Sequence, residues 1–127
     1  MYKFALNLIV MMAVVGAVSG PTGKTGIAQA NLQPMTVRGE ISDSTCAAAG
    51  SHGKTMNKTH AKDATECTLS CVKSGSQFVL YNTDDKTIYR LDSEDKVKPY
   101  AGQTVTVIGN YDRATDILHV DRIETGM

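Results

Sequence analysis

A chain of 127 residues with 13 basic and 13 acidic side chains is formally neutral. That balance gives it no electrostatic reason to bind nucleic acid or an anionic membrane, and its length admits one small domain. Its three cysteines are an odd number, so at least one thiol falls outside any pairing within the chain.

The N-terminus reads as an export signal. Lys3 precedes an apolar run from Phe4 to Val18 that is broken only by Asn7 and Gly16. The run has the length of a signal-peptide core and is short for a membrane span. Ala28-Gln29-Ala30 fits the small-x-small cleavage rule, with Ala17 and Ser19 as a second choice. No cysteine follows the run closely, which argues against a lipoprotein. Residues 1–30 are therefore expected to be a signal peptide and 31–127 a periplasmic or secreted domain. No stable membrane anchor would remain after cleavage; an uncleaved anchor is the alternative. Losing Lys3 and Lys24 with no acid leaves the mature domain slightly acidic. The stretch Val18-Ser19-Gly20-Pro21-Thr22-Gly23-Lys24-Thr25 imitates a phosphate-binding loop, but Val18 stands where the first glycine is required.

In the mature chain a period of two residues dominates. Met35, Val37, Gly39 and Ile41 alternate with Thr36, Arg38, Glu40 and Ser42, the pattern of a half-buried first strand. Residues 47–61 are rich in Gly, Ser, Asn, Lys and His and read as an irregular loop. A short helix is expected next. Asp63 is its N-cap, Glu66 completes a capping box, and Gly75 supplies the left-handed residue after the last turn. Phe78 and Leu80 alternate with Val79 and Tyr81 in a second strand. A turn at Asp84-Asp85-Lys86 leads to a third strand from Thr87 to Asp92, so the two form a hairpin. Val105 and Val107 mark a fourth strand, in which Gly109 suggests a bulge or close packing. Residues 116–124 make the fifth.

Five strands with one short helix between strands 1 and 2 suggest a mainly β fold, a small OB-like β-barrel. A small β-sandwich is the alternative. An OB-fold usually carries its helix between strands 3 and 4, and here the best helix lies earlier.

Two motifs stand out: Gly39-x-x-x-Asp43-x-x-Cys46, and Cys67-x-x-x-Cys71-Val72-Lys73. With "AGQTVTVIGNYD" and "LHVDRI" they resemble a family of small exported bacterial proteins classed as a domain of unknown function. The likeness runs from about Val37 to Ile123. It implies export and a small OB-like domain with a Cys/His-bearing insertion at about 44–75. It implies no activity.

The cysteines carry the chemistry the residues suggest. Four apart on a helix, Cys67 and Cys71 have Cβ atoms about 5–6 Å apart, beyond the roughly 3.5–4.5 Å that a disulfide wants. They share a face and can both point at a third group. One such group is Cys46: a bridge from Cys46 to Cys67 or Cys71 would staple a thin-cored exported domain. The other is a metal. Cys46, His52, Cys67 and Cys71 make a tetrahedral set for zinc or a soft site for copper, with His60 in reserve. Thiol–disulfide exchange is a third reading, although the C-x-x-C spacing is missing. Asp43 could cap the loop or orient His52. There is no haem attachment motif, nucleophile elbow or identifiable triad, so an enzyme is not expected. Tyr81, Tyr89 and Tyr111 are more simply packing residues than a nucleic-acid platform.

Two functional classes follow. One is a non-enzymatic binding or structural module with a disulfide-stapled barrel and an unknown ligand or protein partner, with a covalent homodimer available through the odd cysteine. The other is a periplasmic metal-binding protein.

Overall fold

The computed structural model describes residues 31–50, 52, 56–57 and 60–126. The expected signal peptide lies outside them. Five strands form a closed barrel: β1 (Leu32–Asp43), β2 (Phe78–Tyr81), β3 (Ile88–Leu91), β4 (Thr104–Asp112) and β5 (Ile117–Glu124). Their order around the barrel is β1-β2-β3-β5-β4. All pairings are antiparallel except β3 with β5, where Arg90 faces Ile117 and Leu91 faces Leu118.

Closure depends on the length of β1. Its first part, Leu32 to Glu40, pairs with β4, and its last part, Glu40 to Asp43, pairs with β2. One strand thus belongs to both edges of the sheet, and a two-sheet sandwich is excluded. Alternation puts Val37 and Ile41 inside with Phe78, Leu80, Val105, Val107, Leu118 and Val120. Truncating a fully buried member such as Leu80 to alanine would cost about 2–5 kcal/mol. At Gly109 the β4–β5 register shifts, and a Cβ there would collide with the His119 carbonyl. The glycine expected to mark a bulge therefore does so.

Among the described residues between β1 and β2, several that were expected in an irregular loop are helical. Asp43 ends β1 and caps α1 (Ser44–Ala48), its Oδ1 accepting from the amides of Thr45 and Cys46 at 3.0 Å each. The alanines that follow favour helix. His52, Met56 and Asn57 are also helical. α2 (Ala64–Lys73) starts where expected, with Asp63 Oδ1 accepting from the Glu66 amide at 2.8 Å. The reciprocal bond reaches one residue further back, from the Lys62 amide to Glu66 Oε2. The helix ends in a Schellman motif: Ser76 N–H bonds Cys71 O, Gly75 N–H bonds Val72 O, and Gly75 has φ +112°. α2 lays Leu69 and Val72 against the barrel core.

A helix also occupies the position between β3 and β4: α3 (Glu94–Val97), continued by a 3-10 turn at Lys98–Tyr100. The expectation of a single helix missed it. The signals were Ser93 at the N-cap position, acidic Glu94 and Asp95 in the first turn, and Pro99 in the following turn. Val97 from this turn is fully buried in the core.

Candidate metal centre

The end of β1, α1 and α2 converge on the outer side of the barrel wall. Residues on the outward face of β1 and β2 would normally meet solvent, but the insertion covers them. Ser42 is buried, Glu40 half-buried, and Val79 and Tyr81 pack with Ala47. Beside them lies a second cluster, separate from the barrel core, made of Cys46, Cys67 and Cys71 with Met56 and Ala61. The i, i+4 spacing on α2 places Cys67 and Cys71 on one face. Cys46 comes to that face from α1 because the Asp43 cap fixes where α1 begins.

All three thiols are buried, with 1% of Cys46, 0% of Cys67 and 9% of Cys71 exposed. No disulfide is formed among them. The Sγ atoms of Cys46 and Cys67 are 3.5 Å apart, well beyond a disulfide bond of about 2.05 Å. They lie close to the roughly 3.8 Å expected between two thiolates on one tetrahedral zinc. Cys71 interacts with both other thiols. Burial pushes the Cys71 thiol above its ordinary value, and the negative charges of Asp43 and Cys67 push it further; a hydrogen bond with Cys46 acts the other way.

Two sets of ligand atoms lie within 4.8 Å of one another: Cys46, His52 and Cys67, and Asp43, Cys46 and Cys71. The four residues singled out in the sequence are thus brought together around Cys46. His60, the reserve ligand, is exposed and belongs to neither set. His119 sits on β5 at the surface, its Nδ1 2.8 Å from Asp92 Oδ2. Tyr89 and Tyr111 pack edge to face with ring centroids 5.8 Å apart, which is a packing role.

The polar atoms around the thiols are unequally satisfied. His52 Nε2 is bonded to Glu40 Oε1 and lies 3.4 Å from Ser42 Oγ, while its Nδ1 is buried with no hydrogen-bond partner. Asp43 is fully buried; Oδ1 caps α1, and Oδ2 has no partner. Thr68 Oγ1, on the turn of α2 beside Cys67, is the third such atom among the described residues. Each buried polar atom left this way costs about 1–3 kcal/mol. Two of the three belong to residues whose side chains reach the thiols. Cys46 and His52 also line a cavity of about 140 Å³ with Glu40, Ser42, Tyr81 and Thr83, which connects the cluster to solvent.

Sequence reasoning had Asp43 as a cap and as a partner for His52, but not as a ligand. It missed Glu40 and Ser42. The three-residue step from Asp43 to Cys46 was the available signal for Asp43. For Glu40 and Ser42 there was none, since alternation alone assigns them to a solvent face.

Residues 72–125 are similar to a protein family of unknown function (DUF5818). The match spans the end of α2 and strands β2 to β5. It leaves out β1, all three cysteines and His52, so it covers four of the five barrel strands and none of the thiol cluster. No curated protein and no solved structure matches the chain.

Proposed function

We infer that this chain is a small non-enzymatic metal-binding module in which Cys46, Cys67 and Cys71, with His52, hold a thiophilic ion such as Zn²⁺ or Cu⁺. The observation that carries this reading is the pair of partnerless buried atoms at the thiol cluster, His52 Nδ1 and Asp43 Oδ2. Each belongs to a residue with a ligand atom within 4.8 Å of two sulfurs: His52 beside Cys46 and Cys67, Asp43 beside Cys46 and Cys71. A cation held by the three sulfurs and His52 would satisfy His52 Nδ1, which otherwise costs stability, and it would also stabilise the three sulfurs as thiolates.

The histidine supports the reading in a second way. A metal-bound imidazole usually donates its other N–H to a carboxylate, which fixes tautomer and ring orientation. Glu40 holds Nε2, which leaves Nδ1 as the metal-facing nitrogen. Sulfur-rich sets with one imidazole favour zinc and cuprous ions over hard cations. The order β1-β2-β3-β5-β4 and the helix between β3 and β4 support an OB-like description of the barrel. In this proposal residues 1–30 direct export, and the module acts in the periplasm or outside the cell.

The short Cys46–Cys67 separation favours a second reading, a disulfide staple. The two sulfurs need approach by only about 1.5 Å to bond. The barrel would then be a binding or structural module of unknown partner. Cys71 would be left as a buried thiol, ill placed for a covalent homodimer.

Zinc affinity measured by competition with a chromophoric chelator separates the two. His52→Ala is expected to weaken zinc binding by about 10-fold or more while the metal-free protein keeps its melting temperature. Equal affinity of wild type and His52→Ala would remove His52 from the ligand set, and no measurable affinity in either would leave the staple.

A further inference from the structure

Five residues, not four, bring donor atoms to the cluster, and they divide into two groups of three that share only Cys46. One tetrahedral ion takes four protein ligands at most. A site built for one zinc on three cysteines and His52 would leave Asp43 outside. Asp43 Oδ2 would then be a fully buried carboxylate oxygen with no hydrogen-bond partner, beside thiolates of the same sign. That arrangement is costly, because a buried charge needs a counter-charge or a full set of hydrogen bonds.

Building on the metal-binding reading, we propose that the cluster holds two divalent thiophilic ions bridged by the Cys46 thiolate. Cys67 and His52 complete the protein ligands of one ion, and Cys71 and Asp43 those of the other. The formal charges then close: two divalent ions match three thiolates and one carboxylate, with His52 neutral. Each thiol gives up its proton to solvent as the ions bind. Asp43 does double duty without conflict, Oδ1 capping α1 and Oδ2 facing the ion. The Asp43 cap also fixes the start of α1, and with it the position of the bridging sulfur. Each ion keeps a fourth position for water or an added ligand. The His52 side opens to the 140 Å³ cavity, which gives an entry path. The Asp43 side is enclosed by Asp43, Cys46 and Cys71, all buried.

The test uses the mature chain as purified from its export compartment, loaded first with Zn²⁺ and then with ¹¹³Cd²⁺ as probes. Native mass spectrometry is expected to show two ions per chain. Cadmium NMR is expected to show two resonances, each split by coupling through the shared sulfur. Asp43→Asn keeps a side-chain oxygen for the cap and is expected to reduce the count to one ion and abolish the splitting. His52→Ala is expected to perturb the other resonance. Saturation of wild type at one ion would overturn the bridged pair and leave the single-site reading standing, and two resonances without mutual coupling would overturn the shared Cys46 bridge. No bound ion at all would overturn both. The wild-type count and coupling decide the matter even if a variant fails to fold.

Discussion

Glu40 is the residue whose role is least visible from its type and most informative from its place. It lies at the point where β1 changes partner from β4 to β2, and its Oε1 holds His52 Nε2. If His52 is a ligand through Nδ1, Glu40 sets the orientation of the ring and the basicity of the ligand nitrogen without touching the ion. Glu40→Gln is therefore expected to lower zinc affinity by about 10–100-fold while leaving the melting temperature of the metal-free protein nearly unchanged. Chelator competition and thermal unfolding in the presence of excess chelator check the two halves separately. A loss of metal-free stability with unaltered affinity would make Glu40 a structural residue only.

At the scale of elements, the two ends of the barrel wall are made by different devices. β4 and β5 approach so closely at the bulge that only glycine fits at position 109. Gly109→Val is expected to destabilise the protein by about 2 kcal/mol or more, read as a fall in the urea midpoint. A midpoint within error of wild type would mean that the bulge relaxes freely. The strands were legible in the sequence because alternation works wherever one face is buried: Val37 and Ile41, Phe78 and Leu80, Val105 and Val107 all point inward as their period required. α2 was legible because Asp63 and Gly75 bracket it with opposite cap chemistry. Alternation failed at Glu40 and Ser42, since the insertion that buries them comes later in the chain and no local pattern announces it. The loop composition of residues 47–61 hid α1, which rests on one capping carboxylate and a run of alanines. The thiol cluster was half legible. Helical spacing gave the shared face of Cys67 and Cys71, but the approach of Cys46 to it is a contact across 21 residues that no local pattern announces.

At the scale of the whole molecule, three carboxylates among the described residues are held below the ordinary range. The Thr87 backbone amide lowers Asp85, and the Ala114 backbone amide lowers Asp112. For Asp92 burial opposes ionisation, but the Val120 amide, His119 and Ser93 outweigh it. A carboxylate with a depressed folded pKa contributes stability above its unfolded value of about 3.9, and that stability is lost as pH falls through the folded value. The domain is therefore expected to hold its urea midpoint down to about pH 5 in the metal-free state and to lose stability below about pH 4. The loss should be smaller in Asp92→Asn than in wild type. An acid transition unchanged by that substitution would remove Asp92 from the account. The cysteine cluster is separate from the barrel core, although α2 also lays Leu69 and Val72 against that core. Cys46, Cys67 and Cys71 are what α1 and α2 bury against each other, with Met56 and Ala61 beside them.

The most direct measurement of the central claim is paired native and denaturing mass spectrometry on protein exported to a periplasm and purified without chelator. The denatured sample is alkylated to count thiols. A metal adduct is expected in the native spectrum, with three alkylated cysteines after unfolding in chelator. One alkylated cysteine with no metal adduct would contradict it, and would assign Cys46 and one cysteine of α2 to a disulfide.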